Sequence, residues 1–283
     1  MNDKETNMEV LKLAAFSDGN VGGNPAGVLI SDAPPADADM QRIAAEVGFS
    51  ETAFACPVEN SWRVRYFSPE AEVPFCGHAT IALGAALALD QGDGVFDLIL
   101  NEAKISVEGK REGDLVSAAL QSPATHSKPA SAETITEVLD LFGLTDTDLE
   151  PAISPAHAHG GADHFVLALN SRETLAAMSY DFDRGRELMK REGFVTIILV
   201  HSETDQLFHA RNPFAFGGVY EDPATGAAAA ALSGYLRDIG WSHNGVINIV
   251  QGEDMGMRSK IRAEISNEKG SSIRVSGTAR IMK

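Results

Sequence analysis

The sequence predicts an α+β protein built as two pseudo-symmetric domains, each a β-barrel-like sheet wrapped around a central helix. Three observations carry that expectation. PFCGHATIALGAAL (residues 74 to 87) and EDPATGAAAAAL (221 to 232) are like segments, each placing reactive side chains where a small-residue helix begins. The segments around them recur in the same order in both halves of the chain. Outside these helices each half reads mostly as strands, so each half has one small-residue helix for a sheet to enclose. The halves are expected to span residues 8–122 and 130–283, with the last strand free to pack on the first half. Two like domains that face each other would hold the active site in a shared cleft.

Taken in order, VLKLAAFSDGNVGGNPAGVLI (10 to 30) reads as two strands around a glycine-rich turn, whereas HGGADHFVLAL (159 to 169) keeps only the second of them. An amphipathic helix follows each. ADADMQRIAAEVG (36 to 48) puts Met40, Ile43, Ala44 and Val47 on one stripe, and DFDRGRELMKREG (181 to 193) does the same with Phe182, Leu188 and Met189. VGFSETAFACPV (47 to 58) then matches EGFVTIILVHSE (192 to 203), and VRYFSPEAEVPFCGHAT (64 to 80) matches LFHARNPFAFGGVYEDPAT (207 to 225). The central helices follow, IALGAALALD (81 to 90) and GAAAAALSGYLRD (226 to 238). After them both halves show strands separated by turns, at 96 to 110 and 115 to 120 in the first half and at 245 to 257, 261 to 266 and 272 to 280 in the second. Residues 122 to 129 hold two prolines and no periodicity, and are expected to link the halves. The linker leads into a helix over 131 to 143, started by Ser131 and Thr134 and ended by Gly143. The run from 227 to 231 is all alanine, and the segment carries no charge until Arg237. That pattern predicts a buried helix; a surface helix of high propensity is the alternative.

Composition narrows the class. With 283 residues, 44% hydrophobic and 22% charged, the chain can bury a substantial core without metal or disulfide support. Its longest apolar stretch, residues 79 to 89, is too short to span a bilayer and holds a glycine. The first residues, MNDKETNMEV, carry acids where a signal peptide needs a basic then apolar run, so the protein is expected to be cytoplasmic. Two cysteines, Cys56 and Cys76, lack CxxC spacing and are expected to be reduced. A net charge of −17 repels nucleic acid and anionic membranes. A small anionic ligand must then be caught by local dipoles, such as the N–H groups that the two helix starts present.

The repeat offers a subtraction test, because a reactive group in one half opposite an inert one in the other points to function. Glu51 stands opposite Thr196 when 48 to 55 is aligned with 193 to 200, in a strand otherwise suited to burial. A lone carboxylate there is costly unless paired or useful, and general acid/base work is one such use. An exposed edge position is the plain alternative. His78 lies beside the start of the first helix, with Asp222 at the corresponding place in the second half. Each has a structural reading, a hydrogen-bonded histidine and a helix N-cap followed by Pro223, and a cap is compatible with a site role. Cys76 is a candidate thiol base, but no second cysteine falls at the matching place. Asn24, before Pro25, is a turn residue able to face a ligand. His157, His159 and His164 have no thiol or carboxylate at ligand spacing, so no metal is expected. Gly22, Gly23 and Gly27 make no dinucleotide fingerprint.

Together GNPAGV, SET at 50 to 52, CGHAT at 76 to 80, DPATG at 222 to 226 and the late Gln251, Gly252, Met255 and Gly256 resemble the PhzF-like phenazine biosynthesis family of isomerases, from about residue 8 to residue 280. The resemblance implies the diaminopimelate epimerase-like fold, with the active site between its two domains. It implies Glu51 as acid/base with His78 and Asp222 beside it, no cofactor, and a homodimer. It also implies a carboxylate-bearing substrate near Asn24, Ser50, Cys76, Gly77, Thr225, Gly226 and Ala227. Cys76 is similar to the first of the epimerase's two proton-moving cysteines, whereas the second place falls in the Asp222 and Pro223 region. The sequence departs from the family at Ala227, where a serine is expected, and in the late Met, Gly, Arg, Pro, Ser pattern, which appears as Met255, Gly256, Met257, Arg258 and Ser259. The expected activity is a cofactor-independent isomerase or epimerase moving a carbon-bound proton through Glu51 on a small anionic carboxylate. The alternatives are a small-molecule binding protein on the same fold and a Cys76-dependent amino-acid racemase.

Overall fold

The computed structural model describes residues 9–113 and 115–282, so the ends of the expected halves at residues 8 and 283 lie outside the described residues. Two compact units emerge. One holds residues 9–15, Pro25–Leu120 and residues 278–282, and the other holds Phe16–Asn24 and Gln121–Gly277. The chain therefore passes from one unit to the other at four places, one of them between residues 120 and 121.

The first unit contains most of β1 (Leu11–Ser17) and β2 (Asn24–Ile30), then α1 (Asp37–Val47), β3 (Thr52–Val58), β4 (Ser61–Phe67), β5 (Glu72–Val73), α2 (Gly77–Gln91), β6 (Gly94–Ile99), β7 (Lys104–Glu112) and β8 (Leu115–Gln121). β2 runs parallel to β3, β3 antiparallel to β4, β4 parallel to β6, and β6, β7 and β8 continue antiparallel. Every residue of α2 from His78 to Ala88 is buried, because the helix packs against β7 and its sheet neighbours. Its small residues are a requirement of that packing: a Cβ on Gly109 of β7 would lie 2.2 Å from the Gly84 carbonyl oxygen. On the other face of the sheet α1 buries Met40, Ile43 and Ala44 against Leu29, Phe54 and Phe67.

The second unit continues with β9 (His126–Pro129), α3 (Ala132–Phe142), β10 (Ala156–His159), β11 (Asp163–Ala168), α4 (Arg172–Ala176), α5 (Phe182–Glu192), β12 (Thr196–Thr204), β13 (Leu207–Phe214), β14 (Val219–Asp222), α6 (Gly226–Asp238), β15 (Val246–Gln251), β16 (Ser259–Glu264) and β17 (Arg274–Ile281), the last of which ends in the first unit. Its ladder repeats the first: β11 parallel to β12, β12 antiparallel to β13, β13 parallel to β15, then β15, β16 and β17 antiparallel. α6 is buried from Ala228 to Arg237 and packs against β9, β10 and β16, with Ala227, Ala230 and Ala231 against the backbone of Gly160. The buried reading of the alanine run therefore holds, and the surface alternative does not. A second core joins α3, α4 and α5 through Val138, Leu139, Leu175, Leu188 and Met189 to Phe165, Phe194, Ile197 and Leu199.

Two local expectations need correction and a third holds. Residues 122 to 129 are no slack linker: Thr125 is 2% exposed beneath Gly234, and β9 pairs with β10 from His126 to Pro129. The second unit keeps both opening strands, since β10 and β11 form a hairpin about residues 160 to 162. The alignment of Glu51 with Thr196 holds in the structure: Phe54, paired with Leu29, packs on α1 as Leu199, paired with Leu167, packs on the core of α3 to α5, which makes Thr196 the counterpart of Glu51. Glu51 lies one residue before β3.

Candidate active site

In the first unit the structure brings together Ser50, Glu51, Cys76, Gly77 and His78. Glu51 is fixed through its backbone, because its carbonyl oxygen accepts the Gly27 N–H at 3.1 Å as β2 and β3 begin to pair. Gly27 is obligatory there, since a Cβ would meet Thr52 Oγ1 at 2.7 Å. Glycine in the GNPAGV motif thus sets the turn from which the Glu51 side chain projects. That side chain keeps 18% of its surface exposed, against 8% for His78.

His78 stands in the first turn of α2, whose start is held by Thr80. The Thr80 hydroxyl donates to the Cys76 carbonyl oxygen at 2.7 Å and lies 2.7 Å from the hydroxyl of Tyr66, a group that burial pushes well above its ordinary pKa. His78 Nε2 is 3.4 Å from Glu51 Oε2 and 3.4 Å from Ser50 Oγ, while Nδ1 is 3.3 Å from Cys76 Sγ. One assignment of protons satisfies all three contacts: the thiol donates to Nδ1, and the Nε2–H is shared by the carboxylate and the serine oxygen. The imidazole then links an acid on one side to a thiol on the other. Glu51 Oε2, Cys76 Sγ and a His78 nitrogen all lie within 4.8 Å of one another. Both cysteines are buried and outside any disulfide. Burial raises the thiol pKa of Cys56, against an opposing pull from Arg63.

In the second unit Asn24, Asp222, Thr225, Gly226 and Ala227 meet at the start of α6. Asn24 Nδ2 donates to Asp222 Oδ1 at 2.8 Å and to the Ala224 carbonyl oxygen at 3.0 Å. The other Asp222 carboxylate oxygen accepts the Thr225 hydroxyl. Gln251 closes the network: its Nε2 donates to the Asp222 carbonyl oxygen at 2.7 Å and to Thr225 Oγ1 at 3.0 Å, and its Oε1 accepts the Thr225 N–H at 3.3 Å. Asp222 is therefore the last residue of β14 and not the N-cap expected of it. Thr225 occupies the cap position in extended backbone, and α6 begins at Gly226. Pro223 disfavours helical backbone at Asp222, and the gripped segment up to Thr225 stays extended. Counting from the helix starts, Cys76 corresponds to Thr225 and His78 to Ala227, so the pairing of His78 with Asp222 is also corrected.

Sequence reasoning missed the residues that aim these segments. Gln251 entered only as part of a motif. Arg211 grips Glu221 in a two-pronged contact of 3.0 and 2.5 Å, which fixes β14 beside β13 one residue before Asp222. Arg65 grips Glu72 in the same way at 2.7 and 2.6 Å, fixing β5 just before Cys76. A charged residue in each of two matched strands was the available signal. His157, His159 and His164 lie far along β10 and β11 from these motifs in sequence, and His164 is buried against Thr196.

A family model described as phenazine biosynthesis-like protein, PhzC-PhzF, matches residues 13–283. The chain is 28% identical over 281 residues to the uncharacterized isomerase YfhB of Bacillus subtilis (strain 168), covering 95% of this chain and 94% of that one. Its fold is like that of the PhzF-family phenazine biosynthesis protein of Bacillus anthracis, with a TM-score of 0.85 at 21% identity over 98% of this chain and 97% of that one. The likeness extends to a hydroxyproline epimerase from Agrobacterium vitis, at a TM-score of 0.61 and 12% identity over 97% and 89% of the two chains. Fold and relatives define the class: an isomerase on the diaminopimelate epimerase-like α+β fold. The chain belongs to the phenazine biosynthesis-like PhzC-PhzF family.

Proposed function

We propose that the protein is a cofactor-independent isomerase in which Glu51 removes a carbon-bound proton from a small carboxylate-bearing substrate and returns it at a second position. The observation that carries this reading is the Glu51 Oε2 to His78 Nε2 distance of 3.4 Å at a carboxylate that keeps part of its surface exposed. Glu51 is backed by an imidazole and a serine hydroxyl, with no lysine or arginine in the set. A fixed Arg⁺ or Lys⁺ would hold it ionised. The imidazole Nε2–H stabilises the carboxylate before transfer, and the carboxyl group it faces afterwards needs no rearrangement of neighbours. A carboxylate-bearing substrate is supported by the hydroxyproline epimerase of like fold, which carries bound trans-4-hydroxy-L-proline. Asp222 acts in this scheme by positioning the start of α6.

Solvent deuterium is expected in the product or in recovered substrate. Glu51→Gln should lower that exchange by about 10²- to 10⁴-fold, the usual contribution of a positioned acid/base. Full exchange in that variant would overturn the assignment. A second reading, with Cys76 as the proton carrier, is favoured by its Sγ lying 3.3 Å from His78 Nδ1. Cys76→Ala separates the two, because retained exchange excludes the thiol and lost exchange with Glu51→Gln active would install it.

A further inference from the structure

We propose that Glu51, Cys76 and His78 also form a reversible zinc site, at which Zn²⁺ acts as an inhibitor. The donor set is one carboxylate oxygen, one thiol sulfur and one imidazole nitrogen. It suits a borderline-soft cation and not Mg²⁺ or Ca²⁺, which take oxygen ligands. The three donors are also close together. Zinc bonds of about 2.0–2.3 Å at tetrahedral angles separate neighbouring ligand atoms by roughly 3.3 Å for nitrogen to oxygen and roughly 3.6 Å for nitrogen to sulfur. His78 Nε2 lies 3.4 Å from Glu51 Oε2 and 3.9 Å from Cys76 Sγ. The first distance is one edge of a tetrahedron; Cys76 Sγ lies nearer Nδ1, at 3.3 Å, so a metal on Nε2 draws the thiol round to it, and the three donors as a group lie within 4.8 Å.

Three protein ligands leave the fourth position to water, the arrangement of open zinc sites. Glu51 retains enough exposure for a cation to enter. Binding releases one proton to solvent: the thiol becomes a thiolate, the imidazole keeps its single proton on Nδ1 and frees Nε2 for the metal, and Glu51 gives a lone pair, so the metal-loaded protein has no free base at this point. The spacing of Cys76 and His78 fixes two ligands in one helix start, and the turn before β3 brings the third from 25 residues earlier, which is why no sequence spacing announced the set.

Co²⁺ tests the site, since a cobalt–thiolate bond gives a charge-transfer band. Titration of the whole protein with CoCl₂ should give that band at one metal per chain, and ZnCl₂ should displace it. Cys76→Ser should abolish the band and weaken binding by at least about tenfold, because losing even an outer-shell partner of a metal ligand costs 10- to 100-fold. Cys56→Ser should leave both unchanged. If Cys76→Ser does not fold, Glu51→Gln serves instead, with weaker cobalt affinity and the thiolate band retained. A band that survives Cys76→Ser, vanishes in Cys56→Ser or never forms in the unaltered protein overturns the site. Inhibition rests on the proton-transfer role assigned to Glu51, whereas the cobalt titration contains no substrate, so the two fail separately. Saturating ZnCl₂ should suppress deuterium exchange and EDTA should restore it; full exchange with zinc bound would overturn the inhibitory role.

Discussion

Gln251 is 1% exposed and spends its whole amide on the segment from Asp222 to Thr225, giving two hydrogen bonds and accepting one. Truncation to Ala leaves the Asp222 carbonyl oxygen and the Thr225 N–H without these partners in a buried place, where each unsatisfied group costs about 1–3 kcal/mol. Gln251→Ala is therefore expected to lower stability by at least about 1–3 kcal/mol. Gln251→Glu should do no better, because a carboxylate accepts from the N–H but has nothing to donate to the carbonyl. Urea unfolding reads this as a lower midpoint at unchanged slope; a midpoint equal to that of the unaltered protein would refute it. At this scale the sequence was half legible. Glu51, His78 and Asp222 stand out because a reactive residue in a motif can be seen in one line of text. Gln251 and the two Arg–Glu grips cannot, since their meaning lies in partners 7 to 29 residues away.

The helices explain why the elements themselves were easier to read. α3 starts and stops where its cap residues predict: the Ser131 side chain accepts the Thr134 N–H, and Gly143 ends the helix with φ of +65°. α5 is capped by Asp181 and ended by Gly193 in the same manner. Such signals are local and survive translation from sequence to structure. β9 escaped notice because a four-residue strand next to two prolines has no period to detect, and only its partner β10 makes it a strand. The small residues of α2 also carry a quantitative consequence. Adding a Cβ at Gly109 drives it into the Gly84 carbonyl oxygen, a backbone atom that no rotamer change relieves. Gly109→Ala should cost about 1–3 kcal/mol or more through overpacking. Gly77→Ala, whose added carbon meets nothing within 4 Å, is the control and should change stability little. Equal thermal midpoints for the two variants would show that α2 tolerates a wider separation from β7.

For the whole molecule, the groups with displaced pKa values act together on pH stability. His164 is fully buried beside Thr196, and burial pulls its pKa from 6.5 to about 3; burial lowers His157 and His243 as well. The folded protein therefore keeps His164 neutral while the unfolded chain takes up a proton below pH 6.5, so stability falls as the pH drops from 6.5 towards 3. Carboxylates extend the loss. The Lys260 hydrogen bond holds Asp18 below its ordinary range, the Arg65 hydrogen bond does so for Glu72, and at Glu253 burial works upward but is outweighed by Arg172, Arg258 and His209. Their contribution is present above about pH 4 and is lost below it. The net charge of −17 pulls the other way, since acidification relieves self-repulsion. Removal of one histidine separates its share from these opposing contributions. His164 alone accounts for about 2–3 kcal/mol between pH 6.5 and 4.5, at about 1.4 kcal/mol per pH unit once the unfolded residue is protonated. His164→Asn keeps a polar partner for Thr196 but cannot take up a proton. Its stability, measured by denaturant unfolding at pH 6.5 and 4.5, should fall by about 2–3 kcal/mol less than that of the unaltered protein, whatever its absolute value. Equal falls in the two proteins would mean that His164 is not the group whose protonation opens the fold to acid.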